Sequence, residues 1–164
     1  MIYIVIALKP EAQAFVDKYK LKKTKLNEFT LHANSEFMII VSGIGVSNSQ
    51  KATETLRKNF DIQEDDSFIN IGICGANENH PIGEMIKINS SDEITCVNEP
   101  AYKGLYELVD MESDGFFNAT QGLENVCMYK VVSDHFDPKS VTKEKTKKLI
   151  FNNIDKIMES VKNG

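Results

Sequence analysis

Short apolar runs at 2–8, 37–41, 67–73 and 126–132 constrain this chain more than any other feature, because the chain turns to glycine or carboxylate soon after each. Ile2 to Leu8 and Ser67 to Ile73 read as strands buried on both faces. Val126 to Val132 reads as a further strand. Phe29 to Ala33 and Phe37 to Val41 read as two short strands joined by a turn at Asn34-Ser35. Met85 to Ile88 reads as another, after Pro81-Ile82-Gly83. Helical patterns fall between these runs. Pro10 suits a first helical turn, and Ala14, Phe15 and Tyr19 supply its apolar side. Ala52, Leu56 and Phe60 mark a second helix, and residues near 112–120 a third. Asp137-Pro138 is expected to open the last helix, where Ile150, Ile154, Ile157, Met158 and Val161 share one face. Strands alternating with helices predict an α/β fold: a three-layer sandwich around a mixed, mostly parallel sheet. Ligands of such sheets bind outside the carboxyl ends of the strands.

The 164 residues suit one domain spanning 1–164. Apolar residues are 41% and charged residues 26%, as in an ordinary soluble protein. No apolar run is long enough to cross a bilayer, which argues against a membrane partner. Met1 to Leu8 lacks a basic flank and a cleavage site, which points to the cytoplasm. Cys74, Cys96 and Cys127 are widely spaced and contain no C-x-x-C pair, so neither a disulfide framework nor a zinc site is expected. The net charge of −5 argues against a nucleic-acid partner. Lys18, Lys20, Lys22, Lys23 and Lys25 run against that balance, and read as a solvated helix end and loop.

Polar or glycine-rich groups follow four of the strands: Glu11, Gly43-Ile44-Gly45, Gly72-Ile73-Cys74-Gly75 and Ser133-Asp134. In a parallel sheet they gather at one edge. Glycines there let a ligand approach the backbone and free its N–H groups. Each group has a plainer reading. Glu11 suits the positive end of its helix. Tight strand-to-helix turns need glycine anyway. Asp134 suits a loop or helix cap, and Cys74 a small buried residue. Asp134, His135 and Asp137 have the residue types of a metal cluster but lack a distant partner of suitable spacing.

Taken together, the motifs resemble the nucleoside phosphorylase/nucleosidase superfamily, in particular 5′-methylthioadenosine/S-adenosylhomocysteine nucleosidases and hexameric-type purine nucleoside phosphorylases. Ala7-Leu8-Lys9-Pro10-Glu11 looks like the nucleosidase start. Ser42-Gly43-Ile44-Gly45 and Asn70-Ile71-Gly72-Ile73-Cys74-Gly75-Ala76 follow in order. Val109-Asp110-Met111-Glu112 and Val132-Ser133-Asp134-His135 complete the set. The resemblance implies a purine nucleoside substrate, no metal or organic cofactor, and a homodimer or larger homo-oligomer. It implies that Glu112 accepts hydrogen bonds from ribose hydroxyls, with Met111 packed on the sugar. It makes Asp134 the proton donor to the purine and Glu11 the residue that orients or deprotonates water. Gly43, Gly45 and Ser133 join the substrate site, and the backbone of Cys74 and Gly75 lies beneath the base. Cleaving an N-glycosidic bond builds positive charge on ribose and negative charge on the base, and these carboxyl groups oppose both. The proton donor is expected to be the more desolvated of the catalytic pair.

The chain departs from the family in two ways. Only residues 85–110 separate Gly83-Glu84 from Met111-Glu112, where the family has a further helix–strand stretch, so the fold is shortened by an internal deletion. Tyr102 and Tyr106 are candidate stacking groups in its place. The phosphorylase pattern also carries an arginine and a serine where this chain has Asn70 and Ile73, and Arg57 is the sole arginine. Hydrolysis is therefore expected over phosphorolysis. A catalytically silent nucleoside-binding or sensor domain is the alternative from another class.

Overall fold

The computed structural model describes residues 1–102 and 105–164. Its elements, in chain order, are β1 (Ile2–Ile6), α1 (Lys9–Tyr19), β2 (Lys22–Leu26), β3 (Phe29–Ala33), β4 (Phe37–Val41), α2 (Val46–Asn59) and β5 (Ser67–Ala76). There follow β6 (Met85–Ile88), β7 (Thr95–Cys96), β8 (Leu108–Asp110), α3 (Ser113–Ala119), β9 (Val126–Asp134) and α4 (Lys143–Asn163). One mixed sheet holds the strands in the order β2-β3-β4-β1-β5-β8-β7, with β9 paired to β5 and β6. β4, β1, β5 and β9 run parallel through its centre.

The apolar runs form these central strands because both sheet faces are covered. Alternation along β1 sends Ile4 and Ile6 to one face, where they meet Phe15, Ile150, Ile154 and Ile157 of α1 and α4. It sends Tyr3 and Val5 to the other, against Leu56 and Phe116 of α2 and α3. The result is the α/β three-layer sandwich expected, with helices on both faces.

Three local expectations need correction. Lys22 to Lys25 are not loop: they belong to β2, an exposed edge strand antiparallel to β3. Three exposed lysines there blunt the open edge against pairing with another chain, and a propensity reading does not register that use of charge. Gly72 and Gly75 lie inside β5 instead of flanking it. Asp137-Pro138 opens only a short 3-10 turn, and α4 begins after Thr142, whose hydroxyl accepts from Lys145 N–H at 3.2 Å. Among the described residues, no helix is long and apolar enough to cross a membrane.

Candidate active site

The carboxyl ends of β1, β5, β8 and β9 meet around a cavity of about 290 Å³. Glu11, Cys74, Gly75, Met111, Glu112, Ser133 and Asp134 all line it, so residues far apart in sequence come together as expected. Gly45 contributes one bond away, through Glu112. Gly43 does not line the cavity, and its N–H donates to Ala7 O instead.

Glu11 sits in the first turn of α1, almost fully buried. Its two oxygens accept from the backbone N–H groups of Leu8 at 2.9 Å and Ile73 at 2.8 Å. This grip fixes the carboxylate between β1 and β5. Burial pushes its pKa up to about 7, against the pull of Lys130 and the two N–H donors, with Glu112 adding a smaller upward push. Gly72 makes room for it. A Cβ there would lie 2.9 Å from Glu11 Oε2 and 3.2 Å from Lys130 Nζ, so both head groups cross the space above a bare backbone.

Glu112 stands between β8 and α3. Its Oε2 accepts from Gly45 N–H at 2.9 Å. Gly45 has φ 104°, a left-handed backbone that suits glycine and turns this N–H toward the site. Burial raises the Glu112 pKa. Lys130 and the Gly45 N–H oppose that rise, and Asp110 adds to it.

Asp134 owes its place to an irregularity. β9 pairs with β5 in register up to Cys74↔Val132, then shifts to Gly75↔Asp134, leaving Ser133 as the extra residue. Asp134 Oδ2 accepts from Asp137 N–H at 2.8 Å, and Oδ1 lies 2.6 Å from Ser133 Oγ. The same hydroxyl lies 3.1 Å from Cys74 O. His135 Nε2 is 2.8 Å from the carbonyl of His80. Among the described residues, no group of three or more His, Cys, Asp or Glu is placed to hold a metal ion. The expectation that Asp134 is the more desolvated of the catalytic pair is overturned. Glu11 is 1% exposed and Asp134 7%: the Glu11 head group packs above the bare backbone of Gly72 beside Lys130, whereas Asp134 stands at the very end of β9.

Sequence reasoning missed Lys130 and the role of Asp110. Lys130 is fully buried in β9, opposite Gly72. Its Nζ lies 3.2 Å from Asp110 Oδ2, an ion pair without hydrogen-bond geometry, and no hydrogen bond to either Asp110 oxygen is present among the described residues. Asp110, Glu112 and Glu11 raise the Lys130 pKa against its burial, so the lysine is a cation facing three carboxylates. The available signal was one charged residue in the middle of an otherwise apolar strand. Cys74 follows its plain reading: burial pushes the thiol up to about 12, so it stays protonated and inert. Val97, Pro100 and Ala101, from the segment between β7 and β8, wall the cavity, while Tyr102 is 58% exposed.

No protein-family model matches the sequence, and no curated protein sequence matches it. Solved structures do match. A variant of the Helicobacter pylori 5′-methylthioadenosine/S-adenosylhomocysteine nucleosidase, with 5′-methylthioadenosine in its active site, superposes with a TM-score of 0.80 at 14% identity, covering 99% of this chain and 97% of that one. The Streptococcus pneumoniae counterpart (S. pneumoniae), with a transition-state inhibitor, gives 0.81 at 15% identity, with 98% of each chain covered. Helicobacter pylori futalosine hydrolase gives 0.79 at 14%, covering 99% and 97%. The chain therefore shares the fold of these nucleosidases and of futalosine hydrolase.

Proposed function

We propose that this chain is a cytoplasmic nucleoside N-glycosidase that cleaves purine nucleosides with water. The observation that carries the reading is the convergence of Glu11, Glu112 and Asp134, from three separate elements, on one cavity at the carboxyl edge of the sheet. The solved nucleosidases of the same fold support it, as does a cavity that could hold a purine and a sugar.

In this reading Glu112 accepts hydrogen bonds from the ribose hydroxyls and Met111 packs on the sugar. Cys74 and Gly75 present backbone to the base. Water attacks the anomeric carbon as the bond to the base breaks. Glu11 orients that water and takes its proton; a pKa near 7 suits a general base. Asp134 gives a proton to a purine nitrogen, so the base departs neutral. Ser133 serves either state of Asp134. It donates to the carboxylate when Asp134 is ionised, and to Cys74 O while accepting from Asp134 when it is protonated. The proton on Glu11 then returns through solvent to Asp134, and the sum is water plus nucleoside giving free sugar and free base.

Water is favoured over phosphate as the nucleophile. Arg57 is engaged elsewhere, donating to the carbonyls of Ala119 and Gln121 at 2.8 and 3.2 Å. Among the described residues, no lysine or arginine lines the cavity. A panel of purine nucleosides, assayed for free base with and without phosphate, tests the reading. Base release independent of phosphate is expected. Phosphate-dependent release would make the chain a phosphorylase, and tight binding without release would make it a silent sensor domain. A homodimer or larger homo-oligomer is part of the proposal, and light scattering checks it.

A further inference from the structure

We infer that the nucleoside taken by this site carries an acidic group, carboxylate or phosphate, on its 5′ substituent, received by Lys9 and Lys143. The inference rests on the nucleosidase reading above and specifies its substrate.

Of the described residues, only uncharged and acidic ones line the candidate site, with Glu11, Asp110, Glu112 and Asp134 all facing it. A second cavity of about 500 Å³ adjoins it at Leu8, which lines both. This groove lies between the start of α1 and the start of α4, and its charge has the opposite sign. Lys9, Lys143 and Lys147 line it, with one carboxylate, Glu144, and the neutral Pro10 and Gln13. Lys147 is already paired with Asp17. Lys9 and Lys143 have no ion-pair partner among the described residues.

The proposed pose decides which part of the substrate enters. The ribose hydroxyls turn toward Glu112 and Gly45, and the base toward Asp134 and Ser133. The attacking water takes the side of Glu11. The remaining direction from the sugar is its 5′ carbon. Of the three neighbouring cavities, the one at Ile44 lies on the side of the ribose hydroxyls and the one at Ser133 and Val141 on the side of the base, so the one past Leu8 is left for the 5′ substituent. A substituent leaving there passes an apolar side chain and then meets two lysines. A neutral or cationic tail gains nothing from them, whereas an anionic tail is attracted at its end and kept away from the carboxylates of the reaction centre.

The test uses two thioethers that differ only at the tip: 5′-S-(2-carboxyethyl)-5′-thioadenosine and its carboxamide, with the inosine pair alongside. Affinity is read by calorimetry, and kcat/KM is read wherever base is released. For an exposed pair of charges, a preference of about fivefold for the acid is expected. It should shrink toward one in about 1 M salt, where the Debye length is near 3 Å. Lys9→Met with Lys143→Met should collapse the ratio of acid to amide. Lys9→Arg with Lys143→Arg should keep it, and Lys22→Met on the far edge strand should leave it unchanged. A ratio near one in the wild type, or a preference that survives the double Met variant, overturns the inference. If the acid binds better through these lysines but no base is released, the subsite stands and the hydrolase reading fails. If neither compound of either pair binds, both fall.

Discussion

Two regions of this molecule hold most of its conspicuous charge, and they use it in opposite ways. The edge strand β2 carries Lys22, Lys23 and Lys25, all exposed. The carboxyl end of the sheet carries Lys130, Asp110, Glu11 and Glu112, all buried. In water such charges are screened and interact weakly. Under the sheet they fix one another's protonation state and orientation. Lysine is thus a solvated charge on the edge strand and the buried partner of a carboxylate in β9, and burial makes the difference.

The largest expected effects lie at the buried end. Asp134→Asn keeps the shape and the Asp137 N–H acceptor but has no transferable proton. Release of base should fall by about 10²–10⁴ while nucleoside binding persists. Glu11→Gln should cost a similar factor through the water. Base release by the Asp134 variant at the wild-type rate would dissolve the contrast between the two regions.

Next comes Lys130→Met, read by denaturant unfolding. It leaves Asp110 buried without its cation, a change that typically costs about 3–5 kcal/mol. Adding Asp110→Asn should return part of that loss, since the stranded charge is then removed. Neutral behaviour of Lys130→Met alone would mean that the buried cluster is wetter than its packing implies.

Glu11 sharpens the comparison through pH. Its folded pKa, about 7, lies above the ordinary carboxyl value near 4.5, so the folded state holds the proton more tightly than the unfolded chain. The stabilisation is therefore complete below about pH 4.5 and lost as pH rises through 7. Relative to Glu11→Gln, the wild type should lose a few kcal/mol across that window, on the order of 3. kcat/KM should rise over the same range as the base ionises. A wild-type stability profile parallel to that of the Gln variant would show that Glu11 is ionised throughout. Glu112→Gln, close in size, should weaken ribonucleoside binding by roughly 2–3 kcal/mol, as for a lost charge-assisted hydrogen bond. Unchanged calorimetric affinity would remove it from the sugar site.

The two regions also differ in how well the sequence discloses them. Strands buried on both faces leave unbroken apolar runs, so the layered fold was legible, and with it the edge that holds the candidate site. Glu11, Glu112 and Asp134 were legible because each stands in a motif at the end of such a run. Lys130 was not, because one lysine among Val126 to Val132 has no periodicity of its own; only the register that sets it over Gly72 reveals its partners. The bulge at Ser133 and the relative burial of Glu11 and Asp134 are likewise products of pairing and helix placement, which no local pattern encodes. The lysine run misled in the other direction. Five lysines in eight residues look like a solvated loop, and strand pairing to β3 becomes visible only when the sheet is assembled.

The smallest effect is expected at that exposed edge, and it completes the contrast. Lys22, Lys23 and Lys25 have no ion-pair partner among the described residues, so replacing all three by threonine removes no paired charge. Threonine also favours strands, which offsets the lost lysine stems. Stability should change by less than about 0.5 kcal/mol for each substitution, the usual range for surface sites, and base release should not change. The consequence should appear between molecules instead. With its lysines gone, β2 presents an open ladder of N–H and C=O groups without the repulsion that keeps a second strand away. Light scattering across a concentration series should show new self-association in the triple threonine variant, reversed by restoring Lys23 and Lys25. A variant that loses several kcal/mol would mean that these lysines support the fold itself, and charge at the two ends of the molecule would then differ in degree and not in kind.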